Sequence, residues 1–406
     1  MKVLRNTSKE LEKIYKRQLY RKKSISQKVT KIIDNVAHQG DDALIRYTRR
    51  FDKVKMSHRQ LVVSESEISA AYQNITPDFV SSLKLIIDNV TKFYKKQQKK
   101  SWRLKGQDGV ILGEQIQPLD VVGVYIPGGT AALASSVYMT VLLAQIAGVK
   151  RIVMVTPPGK NIYINPHILV VADLLKVSEI YRVGGAQAIA AMALGTKTIP
   201  RVDKIVGPGN IYVTEAKRQL YGFVDIDMLA GPTELVVIAN RYSNPKYVIA
   251  DLAAQSEHVK GLSILITNSK KLVKQVKNEV SSGYIVLVKN IEQAIEISNK
   301  IAPEHLEILT NNPLKVVKKI RHAGAIFLGP YSPTAVGDYV AGPSHVLPTS
   351  GTARFFSGLS LQDFLKTSHV ISYSKRALEN IRGPLEKIST IEGLEKHTNS
   401  VKIRFD

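Results

Sequence analysis

A glutamine and a histidine three residues apart, Gln255 and His258, stand in the apolar run YVIADLAAQSEHV (247–259). Residues three apart on a helix are near neighbours, so the run predicts that both side chains share one helix face. An amide oxygen and an imidazole nitrogen on the same face are potential metal ligands. The pair is therefore either a chance surface feature or half of a site.

Other polar groups that could support chemistry occur near apolar or Gly-rich segments. They are Glu304 and His305 in APEHLE, predicted at a helix end; Asp338, predicted in a loop, and His345, both in GDYVAGPSHVLPT; and His397 in EGLEKHTN. The chain has no cysteine, which excludes disulfides and thiolate ligands. The remaining nitrogen and oxygen donors suit zinc or a similar divalent ion in a catalytic site. Each residue taken alone also fits a surface or capping role, and spacing does not establish that they converge.

Three Gly-rich turns each follow a predicted strand and precede a predicted helix: YIPGGT (125–130), VGGAQ (183–187) and VGPGN (206–210). Such turns let a ligand approach the backbone, and the N-terminus of a helix favours a phosphate group. None of them matches G-x-G-x-x-G, so the usual dinucleotide fingerprint is absent. Three turns in one sheet indicate a nucleotide or dinucleotide site, with purely structural turns as the alternative.

Strands alternate with helices over 118–238, and a second alternating block follows directly. This pattern predicts an α/β fold in which parallel sheets are covered by helices, with ligands at the carboxyl ends of the strands. The region from Ser24 to Lys100 is predicted to be mostly helical, and the pattern weakens after 357 into a helical, basic tail. The fold prediction is two tandem doubly wound, incomplete Rossmann-like domains with a helical N-terminal region, and the repetition suggests a duplication.

The composition limits the class of protein. The chain has 406 residues, 44% of them hydrophobic, and a formal net charge of +23. Because the basic residues are scattered and no zinc-finger or helix-turn-helix pattern is present, no nucleic-acid partner is expected. The long uncharged stretch 121–149 contains Pro127 and Gly128 near its middle, which favours strand, turn and helix over a membrane span. The charged N-terminal sequence lacks a signal-peptide core, so a cytoplasmic location without membrane association is expected.

Ten motifs in order over about 118–397 resemble histidinol dehydrogenases. They are YIPGG, VGGAQAIAA, DKIVGPGN, YVTEAK, GPTE, DLAAQSEH, APEHLE, GDYVAGPSHVLPT, FSGL and EGLEKH. The resemblance implies a zinc-dependent, NAD-linked homodimer that contains one zinc ion per subunit. It would oxidise L-histidinol through L-histidinaldehyde to L-histidine with two NAD, as the last step of histidine biosynthesis. Two positions depart from the family pattern: Thr233 stands where serine is usual, and Val259 where glycine is common.

The resemblance also implies roles for individual residues. The metal ligands would be Gln255, His258, Asp338 and His397, and the acid–base pair would be Glu304 and His305. Substrate contacts would come from Thr233, His345 and Glu392 together with the metal ligands and the acid–base pair, and NAD contacts from Tyr125, Gln187 and Asn210. In this scheme His305 takes the hydroxyl proton as hydride leaves, and Glu304 is the base for the water that adds to the aldehyde.

The same resemblance predicts the division into domains. It consists of an N-terminal arm (1–23), a first α/β domain (24–117 with 239–356), a second, NAD-binding α/β domain (118–238) and a C-terminal dimerisation tail (357–406). Three rival functions stay open. They are a related metal-dependent NAD alcohol dehydrogenase acting on another small alcohol such as a sulfonated diol, a metal-dependent hydrolase that does not use NAD, and a nucleic-acid binder.

Overall fold

The structure, a computed structural model, describes residues 1–5, 7–17, 23–128, 133–258 and 261–406. These residues form two compact units. The first unit contains Met1–Gln97 and Leu119–Phe364, and the second contains Gln98–Pro118 and Leu365–Asp406.

The described residues form the following elements. The strands are β1 (Lys2–Leu4), β2 (Trp102–Lys105), β3 (Ile111–Pro118), β4 (Val121–Tyr125), β5 (Arg151–Thr156), β6 (Glu179–Arg182), β7 (Lys204–Val206), β8 (Asp225–Ile226), β9 (Glu234–Ala239), β10 (Leu262–Thr267), β11 (Tyr284–Leu287), β12 (His305–Leu309), β13 (Ala325–Leu328) and β14 (Leu365–Ser372). The α-helices are α1 (Lys9–Tyr15), α2 (Lys23–Phe51), α3 (Glu65–Ala71), α4 (Pro77–Lys95), α5 (Ala134–Ala147), α6 (Pro166–Leu174), α7 (Gly185–Leu194), α8 (Ile211–Leu220), α9 (Pro245–Ser256), α10 (Lys270–Val276), α11 (Ile291–Ile301), α12 (Pro313–Val317), α13 (Thr334–Tyr339), α14 (Lys375–Ile391) and α15 (Glu395–Lys402). Short 3-10 helices cover His58–Leu61, Tyr72–Asn74, Gln107–Gly109, Lys160–Ile162, Thr352–Arg354 and Leu361–Phe364.

The first unit contains a five-stranded sheet in the order β6-β5-β4-β7-β8, in which every pair of neighbouring strands is parallel. Its strands are rich in Val and Ile and buried on both faces, as expected for a parallel sheet between layers of helices. Helices α4, α5 and α6 supply the core on one face, and α2, α7 and α8 supply it on the other. From β4 the chain adds β5 and β6 toward one edge of the sheet, and it then adds β7 and β8 on the other side of β4. The boundary between β4 and β7 is therefore the topological switch point.

The first unit also contains a six-stranded parallel sheet in the order β1-β11-β10-β9-β12-β13. Without β1, this sheet repeats the order of the five-stranded sheet: third, second, first, fourth and fifth strand along the chain. Helices α1, α11 and α12 pack on one face, and α9 and α10 pack on the other. The predicted α/β class with parallel sheets is confirmed, and the shared strand order fits a duplication.

The packing differs from the predicted division into domains at three places. Strand β9 is a central strand of the six-stranded sheet, although the predicted boundary at 238 cut through it. The helices of 24–97, which the prediction grouped with 239–356, pack on the five-stranded sheet, because their apolar faces complete its two cores. The N-terminal arm is an integral part of the six-stranded sheet, since β1 pairs with β11 and Leu11 of α1 is fully buried.

The second unit is built on an antiparallel sheet in the order β14-β3-β2. The sequence predicted only a helical tail from 357. The C-terminal part of this unit instead begins with strand β14, and the unit also contains residues 98–118. Helices α14 and α15 follow β14, and the hydroxyl of Ser374 caps α14 by accepting from the Ala377 N–H at 3.1 Å. Within the described ranges, no helix is long and apolar enough to cross a membrane.

Candidate active site

A cavity of about 890 Å³ lies at the carboxyl ends of strands β4 to β7 in the five-stranded sheet. Its wall includes residues from all three Gly-rich turns and from the end of α2, among them Tyr47, Tyr125, Gly128, Gly185, Gln187 and Asn210. This volume suits a bound organic cofactor, since cofactor pockets usually span about 300–1,000 Å³. Residues 129 and 130 of the YIPGGT turn lie outside the described residues.

The three residues predicted to contact NAD all line this cavity. The Tyr125 hydroxyl accepts a hydrogen bond from the Gly185 N–H at 3.1 Å, and burial raises the pKa of Tyr125 to about 12. Gln187 is 1% exposed, and its Oε1 has no hydrogen-bond partner among the described residues. Asn210 caps helix α8 by accepting from the Tyr212 and Val213 N–H groups at 2.9 and 3.2 Å. An unpartnered buried amide oxygen facing a cavity is a group that a ligand donor would satisfy.

Glycine is required where the turns of neighbouring strands touch. A Cβ on Gly207 would lie 2.2 Å from the Tyr125 carbonyl oxygen, and the φ of Gly207 is +111°. A Cβ on Gly128 would lie 2.3 Å from Cγ of Pro157, and one on Gly184 would lie 2.4 Å from Cβ of the same proline. The turns after β4, β5, β6 and β7 thus pack as one floor under the cavity.

A buried ion pair holds the VGPGN turn in place. Lys217 of α8 donates to Asp227 Oδ1 at 2.7 Å and to the Gly207 carbonyl oxygen at 2.6 Å. Asp227 Oδ2 in turn accepts from the Gly207 N–H at 2.7 Å. Both charged side chains are nearly inaccessible, at 3% and 1% exposure, so the pair fixes both backbone groups of Gly207. The sequence alone did not single out this pair, because the two residues lie in different elements.

A second group of predicted site residues gathers at the amino-terminal edge of the six-stranded sheet. Thr233 immediately precedes β9, Glu304 immediately precedes β12, and His305 is the first residue of β12. The predicted helix end at Glu304 is wrong: α11 ends at Ile301, and Ala302 adopts a left-handed conformation that closes the helix. The placement differs from the general expectation of ligands at the carboxyl ends of strands, which the cavity of the five-stranded sheet follows.

His305 and Glu304 are both held by the backbone of Glu234. The Glu234 N–H donates to Glu304 Oε2 at 2.8 Å, and His305 Nδ1 lies 3.1 Å from the Glu234 carbonyl oxygen. Because a carbonyl can only accept, Nδ1 must carry the proton. The other ring nitrogen, Nε2, lies 3.5 Å from Asp338 Oδ1 and has no hydrogen-bond partner within the described ranges. It is therefore the nitrogen available to a substrate.

Both members of this pair have displaced pKa values. Burial raises the pKa of Glu304 to about 7, while His305 and the hydrogen bonds from Thr233 and the Glu234 N–H oppose that rise. Burial disfavours protonation of His305, but the carboxylates of Glu304 and Asp338 outweigh it and raise the pKa of His305 to about 9. A carboxyl group with a pKa near neutrality is suited to acid–base work.

Gln255 reaches the same edge of the sheet, but His258 is placed differently from the prediction. Helix α9 ends at Ser256, so His258 is exposed and lies two residues beyond the helix, linked by its N–H to the Gln255 carbonyl oxygen at 3.3 Å. Gln255 is buried, and its Nε2 has no hydrogen-bond partner in the described part of the chain. Gly261 lies close by, and Leu262 next to it donates to the Thr233 carbonyl oxygen at 2.9 Å. Val259, the second departure from the family pattern, lies outside the described residues.

Asp338 and His345 also belong to this cluster. Asp338 lies in the short helix α13 and not in the predicted loop. His345 Nδ1 lies 2.9 Å from the Asp338 carbonyl oxygen, and its Nε2 lies 3.4 Å from the Ser136 hydroxyl. Burial lowers the pKa of His345. The structure thus brings Thr233, Glu304, His305, Asp338 and His345 together.

His397 and Glu392 lie in the second unit, where both are exposed. Glu392 ends helix α14 as its C-cap residue, and His397 is in α15. Among the described residues, no three or more His, Asp or Glu side chains stand close enough to hold a metal ion. The donor types predicted from sequence suit zinc.

Sequence reasoning missed the part of the cavity at the five-stranded sheet that comes from α2 and the residue after it. Tyr47, Phe51 and Asp52 line the cavity, although they lie far from the Gly-rich turns in the sequence. Nothing in their local pattern distinguishes them from other residues of an amphipathic helix. Glu234 was also missed, although it stands next to Thr233 in the GPTE motif, because its role depends on backbone contacts that the sequence does not reveal.

Comparisons with known proteins agree on one family. The sequence model of the family described as histidinol dehydrogenase matches residues 15–405. A histidinol dehydrogenase from Clostridium acetobutylicum is 49% identical over 98% of this chain and 96% of its own length. One from Caldanaerobacter subterraneus is 48% identical over 97% of this chain and 95% of its own length. The crystal structure of histidinol dehydrogenase from Elizabethkingia anophelis superposes with a TM-score of 0.93 at 36% identity, over 100% of this chain and 98% of that one.

Proposed function

Because the chain belongs to the histidinol dehydrogenase family, we propose that it is an NAD-dependent oxidoreductase that converts L-histidinol through L-histidinaldehyde to L-histidine. Two NAD would be reduced for each substrate, and the reaction would be the last step of histidine biosynthesis. The observation that carries this proposal is the arrangement of His305, whose Nδ1 faces the Glu234 carbonyl oxygen and whose Nε2 is left without a hydrogen bond beside Asp338.

In the first oxidation, His305 Nε2 would accept the proton of the substrate hydroxyl as hydride leaves the carbinol carbon. The backbone contact of Nδ1 leaves Nε2, 3.5 Å from Asp338 Oδ1, as the accepting nitrogen. Because the carboxylates of Glu304 and Asp338 raise the pKa of His305 to about 9, Nε2 accepts this proton only in the neutral form of the ring, which a metal ion on Asp338 would favour. The polar groups of this cluster provide acceptors and donors for the amino and imidazole groups of histidinol.

In the second oxidation, Glu304 would take a proton from the water that adds to the aldehyde. Its pKa of about 7 supports this role, since the carboxylate form is well populated near neutrality and still binds a proton effectively. The Thr233 hydroxyl and the Glu234 N–H keep the carboxylate oriented. The hydrated aldehyde then becomes the second hydride donor.

The residues proposed to hold zinc, one ion per subunit, are Gln255, His258, Asp338 and His397. Two imidazoles, a carboxylate and an amide form a donor set that zinc accepts, and the buried Gln255 would present its amide oxygen to the metal. A zinc ion held by these residues would supply a Lewis acid for the substrate and a positive charge that offsets the carboxylate beside His305. The exposed position of His258 means that its side chain must turn inward on binding.

NAD is proposed to occupy the cavity of the five-stranded sheet. Three features support a dinucleotide there. They are the size of the cavity, the glycines of its Gly-rich turns, which carry no Cβ atom, and the unpartnered Oε1 of Gln187. NAD supplies the hydride acceptor for both steps. Tyr125, Gln187 and Asn210 would contact it.

We further propose a cytoplasmic homodimer in which the second unit of one subunit supplies His397 and Glu392 to the partner's site. Strongly exposed apolar side chains in this unit support a partner there: Ile371, Ile391 and Ile403 are 71%, 72% and 62% exposed. Glu392 would give the site a negative charge for a cationic or imidazole-bearing substrate. This feature favours histidinol over a sulfonated alcohol.

The test is NADH formation by the purified protein with L-histidinol, with L-histidine identified as the product and two NADH counted per substrate. A sulfonated diol serves as the competing substrate. Absence of NADH with histidinol, from a folded and zinc-loaded sample, would refute the proposal.

A further inference from the structure

We infer that Arg17, in the N-terminal segment, is a positioning residue for the Glu304–His305 pair and acts through Glu234. The inference rests on the proposed function for its kinetic consequences. The structural relationship on which it depends is independent of the substrate.

The backbone of Glu234 holds both members of the acid–base pair. Its N–H holds Glu304 Oε2 at 2.8 Å, and its carbonyl oxygen faces His305 Nδ1 at 3.1 Å. Any displacement of this single residue therefore moves both acid–base side chains at once and weakens the hydrogen bond that fixes the tautomer of His305.

The side chain of Glu234 is anchored by Arg17 and by the backbone of Ser350. Arg17 Nε donates to Glu234 Oε1 and Arg17 Nη2 donates to Oε2, each at 2.6 Å. The Ser350 N–H adds a hydrogen bond to Oε1 at 3.1 Å. The Glu234 side chain is 4% exposed and that of Arg17 is 15% exposed, so this two-pronged pair lies largely out of water, where its geometry is most restrictive.

Arg17 is itself held in place by two backbone carbonyl groups. Its Nη1 donates to the carbonyl oxygens of Ile14 and Ile301 at 2.8 and 2.9 Å. Ile14 belongs to α1, which packs into the core of the six-stranded sheet, and Ile301 ends α11, three residues before Glu304. The guanidinium thus joins the N-terminal segment, the end of α11 and the start of β9 behind the acid–base pair. Lysine has one charged nitrogen and lacks the planar fork, so it cannot replace these four hydrogen bonds.

The experiment compares Arg17→Lys and Arg17→Ala with Arg151→Lys, all as full-length, zinc-loaded protein. Arg151 is the matched control, since it makes the same two-pronged contact to Glu179 at 2.7 and 3.0 Å at the amino end of β5, away from both site regions. We expect Arg17→Lys to lower kcat with histidinol by about 10- to 100-fold while the KM values for histidinol and NAD stay within about twofold. Arg151→Lys should leave kcat and both KM values within about twofold.

Two further measurements separate positioning from loss of folding. Guanidinium at millimolar concentration should restore part of the kcat of Arg17→Ala by refilling the site, whereas methylammonium should not. With ¹⁵N-labelled histidine, the ring-nitrogen shifts of His305, assigned by their loss in His305→Asn, should move in Arg17→Lys and stay unchanged in Arg151→Lys.

Unchanged kcat per folded molecule in Arg17→Lys, or a rise in KM at constant kcat, would overturn the inference. So would His305 shifts that are the same as in the wild type. If the wild-type protein forms no NADH with histidinol, the proposed function fails, and the ¹⁵N shifts alone then decide whether Arg17 positions His305.

Discussion

Glu304 accepts a hydrogen bond from the backbone N–H of Glu234 at 2.8 Å, from a position directly before the strand that begins with His305. A buried carboxyl group thereby has one oxygen tied to the backbone while its pKa is raised to about 7. The same contact orients the acid–base group and limits how far it can move.

Replacing Glu304 by glutamine should impair the aldehyde step far more than it impairs folding. Glutamine retains an oxygen to accept from Glu234 but cannot take a proton, so conversion of histidinaldehyde to histidine should slow by about 100-fold or more. The melting temperature should change little. Single-turnover NADH formation from the aldehyde measures the effect, with Glu307→Gln, a buried acid three residues later in β12, as control. An unchanged rate from the aldehyde would remove Glu304 from this role.

Removal of zinc should abolish turnover, and added zinc should restore it. The reason is the proposed ligand set of Gln255, His258, Asp338 and His397. The measurement is NADH formation after treatment with a chelator, and again after stoichiometric zinc, with metal content determined at each stage. Full activity in a demonstrably metal-free sample would contradict the proposed metal site.

Two inactive variants should complement each other if the tail acts in trans. In a mixed dimer of Gln255→Ala and His397→Ala subunits, one site would combine two intact contributions and the other would carry both defects. Random mixing makes about half of the dimers mixed, so about a quarter of the wild-type activity should return. If verified mixed dimers recover no activity, His397 serves its own subunit.

Removing Asp227 should destabilise the protein strongly. Its carboxylate pairs with Lys217, which is 3% exposed, and loss of one partner leaves an uncompensated buried charge. Asp227→Ala should therefore lower the free energy of unfolding by about 3–5 kcal/mol. Asp42→Ala, which removes a surface pair with His58, should cost about 0–1 kcal/mol. Denaturant unfolding of the two variants checks the difference, and equal losses would mean that the Lys217–Asp227 pair contributes no more than a surface contact.

Asp52, which lines the cavity of the five-stranded sheet, should make the stability of the protein depend on pH. Burial raises the pKa of Asp52 to about 6 from 3.8, so the folded state binds its proton more tightly than the unfolded state does. This group therefore favours folding at low pH, and its contribution is lost as the pH rises from about 4 through 6. Asp52→Asn should raise the melting temperature, relative to wild type, more at pH 8 than at pH 4.5. Asp34→Asn, at an exposed position in α2, is the control. An equal effect of Asp52→Asn at both pH values would show that burial does not disfavour the charged form.

The sequence by itself determined the order of strands and helices between 118 and 328, apart from the two-residue strand β8. Each of these elements has its own local signal: Val- and Ile-rich runs for buried parallel strands, amphipathic or apolar segments for helices, and glycine where the backbone must turn. The three Gly-rich turns predicted a cavity at this edge for the same reason, since neighbouring parallel strands end at one edge of the sheet. The motifs also carried the family resemblance that the comparisons confirmed.

Only the tertiary structure decided which distant segments meet. Strand β1 pairs with β11, about 280 positions further along the chain, because it covers an open sheet edge that no local pattern identifies. The assignment of β9 to the six-stranded sheet likewise depends on pairing with β10 and β12. The contact of Arg17 with Glu234 spans 217 positions and follows from packing α1 against that sheet. Local patterning specifies an element and its buried face, whereas the partner of that face is chosen by the burial and hydrogen bonding of the whole chain.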